Sequence, residues 1–202
     1  FSISGDDLKI AGYDKIYFVS SPDFETKSFF EAILSISDGE LSTDVPVTVT
    51  LTDVDDTAPV FTSSTTFSVA ENQTSIGVVT ATDPDTDDSL IVYSVSGSEL
   101  SINSSSGVLT FNSAPDYETK SSYLATVTAS DGTNSSIQNI TVNVTNVNDN
   151  TPSITSNATF SAAENQTSIG TVTATDADGD TVSFSLSGTD ASSMSINSSS
   201  GV

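Results

Sequence analysis

The sequence predicts an all-β chain built from two-sheet sandwiches in tandem, on three observations. Apolar and polar residues alternate with period two in Ala125-Thr126-Val127-Thr128-Ala129 and in Ile140-Thr141-Val142-Asn143-Val144-Thr145, the mark of a half-buried strand. Turn signals such as Ser106-Gly107 and Asp131-Gly132 separate such runs, and no segment carries a helical period. Long stretches also return at a fixed spacing of about 93 residues.

The repeat sets the boundaries. Ser68 to Gly77 returns as Ser161 to Gly170, and Pro22-Asp23-Phe24-Glu25-Thr26-Lys27 returns as Pro115-Asp116-Tyr117-Glu118-Thr119-Lys120, each 93 residues on. Ser101 to Val108 returns at Ser195 to Val202 with a spacing of 94. Residues 58–151 therefore read as one complete unit, residues 1–57 as the C-terminal part of a preceding one, and residues 152–202 as the N-terminal part of a further one. Both part-units depend on neighbouring sequence for a closed core.

Seven strands are expected in the complete unit, in chain order. Strand A lies near 66–70, and strand B over 76–82, where Val79-Thr80-Ala81-Thr82 alternates. Strand C covers 90–95 and D covers 99–102. Strand E begins at the Ser106-Gly107 turn and runs over 107–111. Strands F and G, at 122–130 and 137–145, carry the clearest alternation. Seven short strands in about 93 residues suit a two-sheet sandwich.

Composition bounds the chemistry. The 202 residues hold 27 acids against 4 lysines, with no Arg, His or Cys, for a formal charge of -23. This excludes zinc fingers, disulfides and His-based nucleophilic catalysis. Nucleic-acid binding through phosphates lacks its cations, and no apolar run is long enough for membrane insertion in this segment. Abundant Ser and Thr suit an extracellular, stalk-like protein. Hard cations that take oxygen ligands are the natural partners of such a chain.

In an up-and-down sandwich, alternate loops fall at opposite poles. The AB and EF loops lie at the trailing pole, where G leaves, and the BC and FG loops at the leading pole. Glu71, Asp116, Glu118 and the segment Asn146-Val147-Asn148-Asp149-Asn150 then share the trailing pole. Asp83, Asp85 and Asp131 share the leading pole, where Asp53-Val54-Asp55-Asp56-Thr57 arrives. Asp83 continues the inward parity of Val79 and Ala81, and Asp131 that of Val127 and Ala129, so each carboxylate comes one step past the core. Packed carboxylates repel and lose hydration, and bound cations relieve both penalties. Calcium fits best, since it accepts six to eight oxygens in flexible geometry.

These motifs resemble those of the extracellular cadherin repeat, in its bacterial cadherin-like form more than the vertebrate one. The resemblance rests on Ala70-Glu71-Asn72, Asp116-Tyr117-Glu118, Asp83-Pro84-Asp85, Asp176-Ala177-Asp178, Ala129-Ser130-Asp131-Gly132 and the two linkers, in that family's order and spacing. It implies tandem seven-strand Greek-key sandwiches of the Ig-like/cadherin type, with up to three calcium ions (Ca2+) at each joint. The first joint would use Asp23, Glu25, Asp53, Asp55, Asp56, Asp83, Asp85 and Asp131. The second would use Glu71, Asp116, Glu118, Asn148, Asp149, Asn150, Asp176 and Asp178. Asn146 and Thr57 depart from the family pattern, which has Asp and Asn there.

Competing chemistries fit less well. Asp176 to Asp180 begins like an EF-hand, but its Gly is misplaced and Ser187 stands where the closing Glu belongs. No Gly-Gly pair supports a nonapeptide calcium repeat. Sequons at Asn72, Asn103, Asn134, Asn139, Asn143, Asn157, Asn165 and Asn197 are expected in so Asn-, Ser- and Thr-rich a chain. Tyr93, Tyr117 and Tyr123 read as core or interface aromatics rather than a sugar platform. A carboxylate-pair glycosidase has no implied cleft, so no enzyme is expected. The expected function is a calcium-rigidified extracellular array serving as stalk, filament or adhesin of a microbial cell surface. Its partners are neighbouring repeats of the same array and a homophilic, cell-surface protein or polysaccharide ligand. A carbohydrate- or protein-binding module is the alternative, and assembly of the array into a fibre is a third possibility.

Overall fold

A computed structural model describes residues 1–12 and 15–202. The described residues are all-β, with two single-turn 3-10 segments. Its elements run β1 (Ser2–Ile3), β2 (Leu8–Ala11), β3 (Lys15–Phe18), β4 (Phe29–Ser37), β5 (Ser42–Thr50), β6 (Val60–Phe61), β7 (Thr66–Ala70), β8 (Ser75–Val78) and β9 (Ala81–Thr82). They continue as β10 (Val92–Val95), β11 (Leu100–Ile102), β12 (Val108–Phe111), β13 (Ser122–Ser130), β14 (Ser135–Thr145), β15 (Ser153–Ile154) and β16 (Ala174–Thr175).

The middle of the chain is a β-sandwich. One sheet has the order β10-β13-β14-β7, antiparallel except for the parallel pair β14–β7, and the facing sheet has the order β11-β12-β8. The period-two alternation explains the core. On β13 the side chains of Val127 and Ala129 point inward, and on β14 those of Ile140, Val142 and Val144 do the same. They meet Val79, Ile91, Leu100, Leu109 and Phe111 from the other elements. The Tyr93 hydroxyl accepts a 2.9 Å hydrogen bond from the Ala81 N–H, so this tyrosine is a core residue with its polar atom satisfied. Tyr123 packs edge-on against Phe111, while Tyr117 is exposed.

Val127 is wholly buried against this cluster. Val127→Ala is expected to cost about 2 kcal/mol through lost burial and a residual cavity. Urea unfolding should show the same loss with and without calcium, because the site is far from the poles.

The strand map differs from expectation at four places. Strand A is split, because β6 pairs with β9 in one sheet before β7 joins β14 in the other. Strand B is broken at Val79–Thr80. Val79 donates to the Gly107 carbonyl at 2.9 Å, and the Thr80 carbonyl accepts from Thr62 at 2.8 Å. The strand therefore changes partner there, from β12 to β6. Gly107 holds this contact with φ +67, and a Cβ on it would sit 2.0 Å from the Val79 oxygen. Strand C starts later, after a 3-10 turn at Asp88–Leu90 capped by Asp87. Strand G starts earlier, at Ser135.

Residues 1–50 repeat the second half of this pattern. β1-β4-β5 form one sheet and β2-β3 an antiparallel pair, around Leu8, Phe30 and Ala32. Lys27 lies over the Phe30 ring just as Lys120 lies over Tyr123, 93 residues on. Within residues 152–202 the strand ladder is limited to β15 and β16, with single backbone bonds such as Val172 N–H to Gly201 and Phe184 N–H to Ser198 beyond it. Their apolar side chains, among them Phe160, Ile169, Leu186 and Met194, line an open groove.

Candidate metal centre

Carboxylates gather at two joints, one on each side of the central sandwich. At the first joint, ligand oxygens of Glu25, Asp53 and Asp85 lie within 4.8 Å of one another. Glu25 comes from the turn before β4, Asp53 from the linker after β5, and Asp85 from the loop after β9. Three segments of two units thus converge. Asp85 is the hinge of the arrangement: its Oδ2 accepts from the Asp56 N–H at 3.0 Å and the Thr57 N–H at 2.6 Å.

Beside this group stand two carboxylates at strand ends. Asp83 Oδ1 accepts from the N–H groups of Asp85 and Thr86 at 2.9 and 3.0 Å. Asp131 Oδ1 accepts from Thr133 and Asn134, each at 2.6 Å. Their second oxygens differ in kind. Asp83 Oδ2, Asp85 Oδ1 and Asp131 Oδ2 are buried and have no hydrogen-bond partner. Asp83 as a whole is only 9% exposed. A buried anionic oxygen without a partner carries a full desolvation penalty, so three at one pole call for a cation.

The remaining residues predicted for this joint are placed differently. Asp55 Oδ1 accepts from Asn134 Nδ2 at 3.1 Å, which links the linker to the Asp131 loop. Asp56 contributes its backbone N–H, and its own carboxylate takes a 3.4 Å contact from the Thr57 hydroxyl. Asp23 is spent on its own turn, accepting from the Glu25 N–H at 3.1 Å and the Thr26 hydroxyl at 2.9 Å.

At the second joint the oxygens of Glu71, Glu118, Asp149 and Asp178 lie within 4.8 Å of one another. Glu71, from the loop after β7, is 4% exposed. Its Oε2 accepts from the Tyr117 N–H and its Oε1 from the Val147 N–H, both at 2.8 Å, so one side chain ties two loops and the linker. Asp178 Oδ2 accepts from the N–H groups of Asp149 and Asn150 at 3.1 and 2.8 Å, repeating the role of Asp85. The Asn150 amide donates to Glu118, Asp149 and Asp178 at 3.2, 2.9 and 3.0 Å. Asp116 holds its own turn through Thr119, as Asp23 does through Thr26. Asn148 is exposed in the linker.

Asp176 joins Asp178 in a further group that includes Asp180, a residue outside the predicted set. The alternation Asp176, Asp178, Asp180 was its signal. Two asparagine amides were also missed. Asn134 binds Asp55, and Asn72, at φ 65, donates to Asp149. The repeat of that backbone conformation at Asn165 ties it to the shared Glu-Asn pair.

The electrostatics follow from these contacts. At Glu25 its own backbone N–H lowers the pKa, but dehydration and the neighbouring Asp23 and Asp85 carboxylates outweigh it, raising the group from 4.5 to about 7. Dehydration likewise raises Glu118, with Glu71, Asp178 and Asp116 adding repulsion against the pull of its own backbone N–H. Asp85 is lowered first by the Thr57 N–H, and Asp178 first by the Asn150 amide. Each joint thus pairs a carboxylate held as an anion with one that resists ionising. An ion of charge +2 would reverse the second effect. All donors are oxygens, in number and flexibility suited to calcium rather than to the tight octahedron of magnesium.

Residues 65–145 match the Cadherin domain family. The chain is 34% identical over 149 residues to the protocadherin-like wing polarity protein stan of Drosophila melanogaster, covering 65% of this chain and 4% of that protein. It is 36% identical over 145 residues to protocadherin-11 X-linked of Sus scrofa, covering 65% of this chain and 13% of that protein. The chain thus spans a small part of the relatives it matches. Among solved structures, mouse cadherin-23 EC22-24 superposes with TM-score 0.78 at 25% identity, covering 99% of this chain and 73% of that one. The protocadherin gammaB7 EC3-6 cis-dimer structure gives TM-score 0.81 at 28% identity, covering 99% and 56%.

Proposed function

Since this chain is a cadherin-like tandem repeat protein, we propose that it is a length of calcium-stiffened extracellular array, divided at residues 58 and 152, that spaces or joins cell surfaces. The carrying observation is the trio of buried, unpartnered oxygens on Asp83, Asp85 and Asp131. Calcium would take these oxygens, with Glu25, Asp53, Asp55 and Asp56 completing the first joint and Asp23 shaping its turn. At the second joint Glu71, Glu118, Asp149 and Asp178 would form the centre, with Asp176, Asn148 and Asn150 beside it and Asp116 shaping the turn. The ion would lock the trailing pole of one sandwich, the linker and the leading pole of the next into one body. Its partners would be neighbouring repeats and, at distance, a like chain or another surface protein or polysaccharide. A microbial cell surface is the setting we propose for it.

Calorimetric titration with calcium tests this reading. Calcium-free, the raised pKa of Glu25 makes the folded joint hold a proton that the unfolded chain has lost, between its ordinary 4.5 and about 7. The calcium-free joint therefore gains stability as pH falls through that window and is loosest above it. Calcium binds the ionised form, so its affinity should fall as pH drops below about 7. The measured heat in that window should vary with the buffer, reporting proton release. Magnesium should bind more weakly. Heats no larger than dilution at either pH would sink the proposal.

A further inference from the structure

We propose that the two joints are graded, the Asp53–Thr57 joint binding calcium more tightly and needing it more than the Asn146–Asn150 joint. This rests on the calcium reading above and adds a difference built into the chain. The linkers align residue for residue, 93 apart. Asp53 and Asp55 of the first stand where the second has Asn146 and Asn148. Two carboxylates are thereby replaced by neutral amides of the same shape, and calcium affinity rises with the charge of the ligand set.

The position of Asp55 gives that charge an address. Asn134 bonds Asp55 Oδ1 through its side chain at 3.1 Å and Asp131 Oδ1 through its backbone at 2.6 Å. The added anion thus shares Asn134 with Asp131, one of the three carboxylates whose second oxygen is buried without a partner. Asp83, at 9% exposure, cannot satisfy its free oxygen with bulk water.

The second linker carries a clasp that the first lacks. Asn150 reaches Glu118 of the preceding unit and Asp178 of the following one with the same amide. Thr57 occupies the equivalent place and has one hydroxyl, which contacts Asp56 at 3.4 Å and Asp85 of the following unit; among the described residues it makes no hydrogen bond to the preceding unit. Without calcium, both joints keep repulsion between carboxylates, and the second also keeps a neutral bridge across the units. On calcium withdrawal the array would loosen in two steps, first at the joint with the neutral bridge losing its ion, but furthest at the joint without one.

Hydrogen–deuterium exchange on the 202-residue chain, followed across micromolar to millimolar free calcium, reads each linker separately. Protection of residues 53–57 should reach its midpoint at lower calcium than that of residues 146–150. Asp55→Asn should raise the first midpoint about tenfold and leave the second unmoved. Asn148→Asp should lower the second. In chelator, residues 146–150 should keep more protection than 53–57, and Asn150→Thr should remove the excess. Coincident midpoints, or an Asp55→Asn chain titrating like the parent, would overturn the grading while leaving calcium binding intact. Protection at both linkers that ignores calcium would overturn the grading and the calcium reading together.

Discussion

Chelating calcium should lower the melting temperature of the chain and make its scattering profile less extended. At each joint three or more carboxylates approach within 4.8 Å. Unit charges about 4 Å apart repel by about 1 kcal/mol in water and several times that near a protein surface. With net charge -23 and only 4 lysines, the chain has few cations of its own to oppose this. Among the described residues, the ion pairs Lys27–Asp7 and Lys120–Glu99 each tie a lysine to an acid outside the joint clusters.

Ten-millimolar calcium on a site of about 1 mM affinity stabilises the folded state by about 1.4 kcal/mol per ion. For a unit of this size that is a rise of roughly 5–10 °C per ion. Circular dichroism melts and small-angle scattering in calcium and in chelator would show it. High salt should imitate calcium only weakly, since screening lowers repulsion without tying the linker to both poles. Identical melts and identical maximum dimensions in the two conditions would contradict the stiffening mechanism.

The parts of this fold that were legible in the sequence are those governed by local pattern. Val127, Ala129, Ile140 and Val142 alternate with polar neighbours, and all four are buried. The parity that carries Val79 and Ala81 into the core also delivers Asp83 to its edge, at 9% exposure. The split of strand A was not legible. Val60–Phe61 is two residues long, and its place depends on pairing with Ala81–Thr82, twenty residues away. The break at Val79–Thr80 was hidden for the same reason, since Val79 there bonds Gly107 in the turn before β12. At the joints, acidic positions could be read from the repeat. Two of the amides that organise them could not: Asn72 and Asn134 look like ordinary polar loop residues until their neighbours are brought from 77 and 79 positions away, whereas Asn150 was named through the linker motif.

Replacing Glu71 by alanine should be the most damaging single change at the second joint, and its cost should appear even in chelator. Glu71 is 4% exposed, and each of its oxygens accepts a 2.8 Å bond from a backbone N–H, one of Tyr117 and one of Val147. Removing the side chain strands two donors beside a core pole, at about 1–3 kcal/mol each. A total loss of roughly 2–6 kcal/mol is expected in urea unfolding without calcium. Glu71→Gln separates the two duties of the residue. Its carbonyl oxygen still serves one N–H, while its amide turns a donor toward the other, so it should recover part of the calcium-free stability. It lacks the charge, however, and should recover little of the calcium-dependent rise. If alanine costs less than about 1 kcal/mol in chelator, the two hydrogen bonds do not hold the loops together, and Glu71 is at most an ion ligand. If glutamine restores the full calcium response, charge at this position is irrelevant and the electrostatic account of the joint fails.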